Sequence, residues 1–143
     1  MYLLDTNVLS ELMKSKPAQS VISWMDEQNL ENLFTTSVTK AEIGLGLALL
    51  PDGKRKKILS SAIDQMMQEF LPDRCLSFDH FAAEYYGNLS ARRINSGRPI
   101  SVEDAQIAAI ALVHKLILVT RNSKDFEDIV DLFTVNPWEV PNT

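Results

Sequence analysis

Short apolar runs alternate with amphipathic stretches along the whole chain of 143 residues. The runs are typical of buried strands, and the stretches between them carry apolar residues at helical spacing. The predicted strands cover residues 2–4, 33–36, 75–78, 116–120 and 132–135. The predicted helices cover residues 6–13, 17–28, 39–50, 54–71, 80–96 and 102–115, with a short turn or helix near 124–128. Because strands joined through helices pair in parallel, this alternation predicts one α/β domain over 1–143, a three-layer α/β/α sandwich around a mainly parallel sheet.

Composition and charge exclude several classes of protein. An apolar share of 45% is typical of a globular protein, and the single cysteine, Cys75, allows no internal disulfide, which favours a reducing compartment. The N-terminus does not resemble a signal peptide, and no run reaches the roughly 20 apolar residues that span a bilayer, so we expect a cytoplasmic protein. A net charge of −5 argues against a simple nucleic-acid-binding module, but it allows an enzyme whose acidic site binds metal ions.

Polar side chains from four distant segments fall at one edge of the predicted sheet. Asp5 ends the first strand, Glu42 and Asp104 stand near the beginning of two helices, and Asn122 and Asp125 follow the fourth strand. In a parallel α/β sheet these junctions share the edge at which ligands usually bind. The sequence therefore predicts a functional site made by these five residues.

The helical spacing below two of the acids predicts buried faces. From Glu42 the face continues through Leu45, Gly46, Leu49 and Leu50. From Asp104 it continues through Ile107, Ala108, Ala111 and Leu112. Acids that only contact solvent usually lie on the opposite, polar face of a helix. The positions of Glu42 and Asp104 above apolar faces therefore favour a role in a site.

Helix capping is the alternative interpretation of the same acids. Thr39 with Glu42, and Ser101 with Asp104, match the spacing of a capping box, and Asp5 could cap its own helix. Capping and a role in a site can coexist. Three carboxylates at one edge repel each other, by about 4 kcal/mol for a pair 4 Å apart at an effective dielectric of 20. Such a cluster holds protons or a cation, and oxygen ligands favour Mg²⁺ or Mn²⁺ in an open site suited to phosphodiester cleavage.

Four motifs give the chain a family resemblance. They are L-L-D-T-N-V at residues 3–8, T-x-A-E-I-x-x-G at 39–46, D-A-x-I-A-A at 104–109 and V-T-R-N-x-x-D-F at 119–126. In this order the chain resembles PIN-domain ribonucleases, above all the VapC-type toxins of bacterial type II toxin–antitoxin pairs. The resemblance implies an α/β/α sandwich, Mg²⁺-dependent endoribonuclease activity and a homodimer. It also implies inhibition by a cognate antitoxin whose tail enters the acidic groove, with promoter DNA bound only through the antitoxin.

The resemblance also assigns roles by position. It makes Asp5, Glu42 and Asp104 the metal-binding acids. Many relatives have a fourth acid directly after T-R, where this chain has Asn122. An amide brings no charge, so Asp125, three residues later, is the alternative contributor, and the number of metal ions stays open.

Polar and basic residues beside the acids are the candidates for substrate binding. They are Thr6, Asn7, Arg98, Thr120 and Arg121. The two threonines and Asn7 match polar positions near the site of the family, where they are expected to orient water or an acid. Arg98 forms a basic group with Arg92 and Arg93 at the end of a helix, where cations also interact favourably with the helix dipole.

Two other functions compete with a ribonuclease toxin. Asn122 in place of an acid is compatible with a catalytically weak or inactive PIN-like protein that acts mainly by binding an antitoxin partner. A receiver-like or phosphatase-like domain would use Asp5 as a phosphoacceptor, but such sites usually have a second acid beside the first, and here Thr6 and Asn7 follow.

Overall fold

Strands and helices alternate in the computed structural model, which describes residues 1–139. The strands are β1 (Tyr2–Leu4), β2 (Leu33–Thr36), β3 (Cys75–Leu76), β4 (Ile117–Val119) and β5 (Thr134–Val135). The helices are α1 (Thr6–Leu12), α2 (Gln19–Asp26), α3 (Ser37–Ala48), α4 (Lys54–Gln68), α5 (His80–Asn95) and α6 (Val102–His114). Two short 3₁₀ turns cover Leu30–Asn32 and Ser123–Phe126. Within 1–139 no helix has both the length and the apolar character needed to cross a membrane. The last four residues of the predicted domain lie outside the described residues.

The five strands form one parallel sheet in the order β3-β2-β1-β4-β5. The first strand lies in the middle, where Leu3 pairs with Phe34 of β2 and Leu118 of β4. The chain therefore winds outward to β3 and then returns to the other side of β1. The crevice at such a reversal, between the carboxyl ends of β1 and β4, is where ligands bind in sheets of this type.

Successive strand residues pack into two separate cores on the two faces of the sheet. Leu3 and Leu118 pack with α5 and α6, and Ala108 of α6 is fully buried there. Leu4 and Val119 point the other way and pack with residues of α1 to α4. This alternation follows from the two-residue period of a strand. The predicted α/β/α sandwich is thus confirmed.

Two helices begin at other residues than the sequence pattern predicts, because side-chain oxygens accept hydrogen bonds from backbone N–H groups near their first residues. The Thr36 hydroxyl accepts from the Thr39 N–H at 3.0 Å, so α3 begins at Ser37 instead of Thr39. The Ala18 N–H donates to Glu11 Oε2 at 3.0 Å, which holds Ala18 outside the helix. Pro17 is consequently not the first residue of α2.

The predicted apolar face of α3 is exposed. Leu45 is 63% exposed and Leu49 is 76% exposed, so the prediction that this face is buried was wrong. Helix α3 packs on the sheet through Thr39 and Ile43 instead, and the leucines point away from that contact. The corresponding prediction for α6 is confirmed, since its face below Asp104 is buried at Ile107, Ala108 and Ala111.

Candidate active site

Asp5 lies in the crevice at the carboxyl end of β1. Its Oδ1 accepts from the Val8 N–H at 3.1 Å, so it caps α1, and only 4% of the residue is exposed. Burial raises the pKa of Asp5 to about 6, against hydrogen bonds from the Thr120 side chain and from Val8 that lower it. The negative charge of Asp104 adds to the rise. Capping and a perturbed carboxyl group therefore coexist in this residue.

Asp104 lies within range of the Asp5 charge. Ser101 caps α6 by accepting from the Asp104 N–H at 3.2 Å, as the sequence predicts. Burial raises the pKa of Asp104, a hydrogen bond with the Ser101 side chain lowers it, and the charges of Asp125 and Glu103 raise it further. The pKa values of two neighbouring carboxyl groups from distant segments are thus both raised, so the ionised form of each is less favourable there than in water.

Glu42 reaches this region through a hydroxyl group. It lies in the second turn of α3, and its Oε1 accepts from Thr6 Oγ1 at 2.7 Å. Thr6 Oγ1 also lies 3.2 Å from Thr39 Oγ1. The expected capping box of Thr39 and Glu42 is absent from the described residues, because Thr36 takes the N-cap position. Glu42 is therefore connected to Thr6, the residue after Asp5, and does not serve the end of its own helix.

Thr120 and Asn122 extend the site from the carboxyl end of β4. Thr120 is fully buried, and its hydroxyl accepts from the Asn122 N–H at 3.1 Å. Asn122 is exposed and leads into the Ser123–Phe126 turn, which carries Asp125. Asp125 is also exposed, and its charge acts on Asp104. Asp125 therefore brings a negative charge to this end of the sheet, whereas Asn122 brings none, and a role of Asp125 in place of the fourth acid stays a prediction.

A buried arginine fixes the loop that carries Asp125. Arg93 is only 5% exposed, and its Nη1 donates to the carbonyl oxygens of Asp125 at 2.7 Å and Glu127 at 3.4 Å. Its Nε donates to the carbonyl of Arg98 at 2.7 Å. Arg93 lies in the last turn of α5 beside Arg92, as predicted, but its side chain is buried against backbone carbonyl groups. Its burial had a sequence signal, because Arg93 continues the helically spaced series Ala82, Tyr86 and Leu89.

The other predicted substrate-binding residues differ in their surroundings. Arg98 forms ion pairs with Asp128 at 2.5 Å and Glu127 at 3.9 Å, so its charge is engaged beside the same loop. Asn7 and Arg121, in contrast, line an open groove next to the acidic residues. Thr6 and Thr120 contact the acids directly, as described above. The five predicted residues therefore do not form one surface.

The chemistry of the donors fits a hard cation. Carboxylate, hydroxyl and amide oxygens surround the crevice, and a divalent cation would relieve the charge that burial makes unfavourable at Asp5 and Asp104. Mg²⁺ commonly uses only one or two carboxylates with water and phosphate oxygens. However, within residues 1–139 no group of three or more Asp, Glu, His or Cys side chains is arranged to hold one ion. A shared role of Asp5, Glu42 and Asp104 as ligands stays a prediction.

Comparisons with known proteins agree with this architecture. The PIN domain model matches residues 2–132. The VapC ribonuclease Y4jK of Sinorhizobium fredii is 40% identical over 139 residues, which are 97% of this chain and 99% of the relative. Toxin FitB of Neisseria gonorrhoeae is 36% identical over 138 residues, covering 96% and 99%. The structure of FitAB bound to an IR36 DNA fragment contains a chain with a TM-score of 0.91 and 34% identity, covering 99% of both chains. The chain therefore belongs to the PIN domain family and is similar along nearly its whole length to VapC-type members.

Proposed function

We propose that this chain is a Mg²⁺-dependent endoribonuclease and acts as the toxin of a type II toxin–antitoxin pair, with Mn²⁺ as the alternative ion. The observation that carries the proposal is the buried Asp5 carboxyl group, whose pKa is raised to about 6, within range of the Asp104 charge. Perturbed carboxyl groups at the switch point of a parallel sheet are typical of a functional site. The ribonuclease name of a relative that is 40% identical supports the choice of RNA as substrate.

The roles of the acids follow from their contacts. Asp5 and Asp104 would hold the ion, which, when bound, lowers the pKa of an attacking water and offsets charge on the leaving oxygen. Glu42 is held at Oε1 by Thr6, so its Oε2 is left to accept a hydrogen bond from water or from an ion-bound ligand. Asp125 adds negative charge beside Asp104, and Asn122 offers an amide oxygen at the same rim.

The substrate-binding residues would act beside this centre. Thr120 orients Asp5, and Asn7 and Arg121 face the open groove in which an RNA strand would lie. Arg98 would act indirectly, because its ion pairs with Asp128 and Glu127 steady the loop after β4.

Cleavage assays with matched variants test the proposal. Purified protein should cut RNA with Mg²⁺ or Mn²⁺ and stop in EDTA. Asp5→Asn keeps an oxygen acceptor for the Val8 N–H, so it should fold, yet we expect it to cut at least about a hundredfold more slowly. Asp64→Asn removes an exposed carboxylate of α4 and should leave the rate unchanged. RNA cleavage that persists in both EDTA and Asp5→Asn would overturn the proposal.

A second candidate is a weakly active PIN-like protein that works mainly by binding its partner. Asn122 in place of an acid, and the lack of a three-acid ion-binding group within residues 1–139, favour it. Calorimetric titration with Mg²⁺ separates the two functions. Saturable binding at millimolar Mg²⁺ that disappears in Asp5→Asn supports the ribonuclease, and no binding supports the partner-binding protein.

The proposed toxin would have a protein partner. We place a cognate antitoxin tail in the acidic crevice that contains Asp5 and Asp104, and promoter DNA would be contacted only by the antitoxin. Co-expression with a candidate antitoxin should abolish RNA cleavage, and DNA binding should require the complex. Cleavage that is unchanged in a stable complex would contradict this arrangement.

A homodimer completes the proposal. The exposed Leu45 and Leu49 on α3 form the kind of apolar surface that a second copy would cover. Light scattering should show a dimer for the unmodified chain and a monomer for Leu49→Glu. Ile94→Glu on α5, which alters another exposed apolar residue, is the matched control and should remain dimeric.

A further inference from the structure

A groove of about 540 Å³ adjoins the candidate active site. Its size falls in the range of about 300–1,000 Å³ that is typical of pockets for small ligands. One wall comes from α1 and the residues after it, and the other comes from the segments that follow β4 and β5. The residues that matter here are Asn7, Glu11, Lys14, Arg121, Asn122 and Trp138.

An arginine lies over the ring of a tryptophan on one wall. The Arg121 guanidinium carbon is 5.2 Å from the centre of the Trp138 ring. Asn136 holds this pair together, because its Nδ2 donates to the Arg121 carbonyl at 3.1 Å and its Oδ1 accepts from the Trp138 N–H at 2.9 Å. Arg121 is exposed and Trp138 is half-buried, so Arg121 is the more solvent-accessible member of the pair. From the sequence pattern alone, residues 136–138 are predicted to be a tail after the last strand.

In the part of the chain that the structure describes, no protein group accepts a hydrogen bond from the Arg121 guanidinium. Within residues 1–139, Arg121 has no ion pair with a carboxylate, and none of its side-chain N–H groups donates a hydrogen bond to the protein. Across the groove, both Glu11 oxygens are occupied, by Lys14 Nζ at 2.9 Å and by the Ala18 N–H at 3.0 Å. The Glu11 charge is therefore balanced, and Arg121 leaves the groove with a net positive charge.

We propose that this groove binds one nucleotide of single-stranded RNA beside the cleaved bond. The base would stack on the outer face of Arg121, which Trp138 supports from below, and the adjacent phosphate would contact Lys14 and the guanidinium edge. Bases stack on arginine planes in RNA complexes, and the amides of Asn7 and Asn122 can pair with a base edge. An acidic peptide would need only the charges and would leave the stacked plane and both amides unused. This inference rests on the proposed function.

Binding measurements test the inference apart from catalysis. A fluorescein-labelled octaribonucleotide of mixed sequence is titrated with the full chain carrying Asp5→Asn, which should slow cleavage at least about a hundredfold. We expect Arg121→Ala to weaken binding about tenfold or more, as the loss of a stacking contact does. Trp138→Phe keeps an aromatic support and should stay within about threefold, whereas Trp138→Leu should weaken binding like Arg121→Ala. Arg92→Ala on α5 removes the same charge outside the groove and should change nothing.

Tryptophan fluorescence gives a second measurement. If Trp138 had only a structural role, its emission would not change when RNA binds. In Trp24→Phe, Trp138 is the remaining tryptophan, so its emission should change on RNA binding and stay constant with poly-glutamate. If Arg121→Ala binds the RNA like Arg92→Ala, or if poly-glutamate competes as well as RNA does, the inference is wrong. Either result leaves the proposed function intact, because that proposal is tested by whether RNA cleavage depends on metal and on Asp5.

Discussion

The Thr6 hydroxyl donates to Glu42 across 36 positions of sequence, at 2.7 Å. This bond connects the first helix to the third and places a carboxylate next to the residue that follows Asp5. Hydrogen bonds to a charged group contribute about 1.5–3 kcal/mol, so losing this one should misplace Glu42. We expect Thr6→Val to slow RNA cleavage by about tenfold or more and Thr6→Ser to retain most activity. Equal rates for both variants, at equal thermal stability, would show that the bond has no role in catalysis.

The Asp5 carboxyl group should make stability depend on pH in metal-free solution. Its pKa is about 6 in the folded chain and 3.8 in its usual state, so the folded state binds the proton more tightly. The resulting stabilisation is complete below pH about 4 and is lost as the pH rises past about 6. The difference corresponds to about 3 kcal/mol. As the pH rises from about 4 to about 6, the unmodified chain should lose this stabilisation, whereas Asp5→Asn should not. Urea unfolding in EDTA should therefore show that the free energy of unfolding of Asp5→Asn increases relative to that of the unmodified chain over this range. Parallel stability curves would contradict this.

Divalent ions should stabilise the folded chain at neutral pH. Ligand at a hundred times its dissociation constant adds about 2.7 kcal/mol to the free energy of unfolding. We expect Mg²⁺ to raise the melting temperature of the unmodified chain and of Asp64→Asn. The increase should be much smaller for Asp5→Asn and Asp104→Asn. The same increase in all four proteins would indicate a general salt effect.

Asp125 should matter more than Asn122 for the response to metal. Asp125 carries the charge that acts on Asp104, whereas Asn122 has none. We expect Asp125→Asn to raise the Mg²⁺ concentration at half-maximal cleavage several-fold and Asn122→Ala to change it little. The measurement is a cleavage rate at increasing Mg²⁺ with saturating RNA. A larger effect of Asn122→Ala than of Asp125→Asn would indicate that the Asn122 amide, and not Asp125, acts where many relatives have a fourth acid.

Arg93 should stabilise the fold and the site together. Its guanidinium is almost fully buried and donates hydrogen bonds to three backbone carbonyl groups. Arg93→Met leaves those carbonyls without donors, and we expect it to lower the free energy of unfolding by about 2–4 kcal/mol. Cleavage should also fall, because the loop with Asp125 loses its anchor. Arg92→Met, at the exposed neighbouring arginine, is the control and should stay within about 0.5 kcal/mol.

Local patterns in the sequence were sufficient for the sheet and for two of the acids. The strand predicted at 33–36 agrees with β2 at both ends, and Ser101 caps α6 as expected. Asp5 and Asp104 could be assigned to the carboxyl edge of the sheet because Asp5 directly follows a strand and Asp104 lies in the first turn of a helix. Such positions depend on periodicity and capping, which a single sequence carries.

Contacts between distant segments escaped the sequence patterns. The bond from Thr6 to Glu42, the contact of Arg93 with the Asp125 carbonyl and the contact of Arg121 with Trp138 each depend on how elements pack, and no local spacing encodes that. The apolar face of α3 shows the same limit. Its leucines have core-like spacing, but they face outward because Thr39 and Ile43 make the inward contact. Hydrophobic periodicity identifies a face and does not say what covers it.

The outermost strands of the sheet, β3 and β5, are only two residues long, Cys75–Leu76 and Thr134–Val135. Exposed backbone N–H and C=O groups at such a border can recruit a foreign strand and begin amyloid-like growth. A strand of two residues offers too few of these groups for stable pairing with a strand of another molecule. The length of these two strands thus gives the chain a built-in resistance to fibre formation.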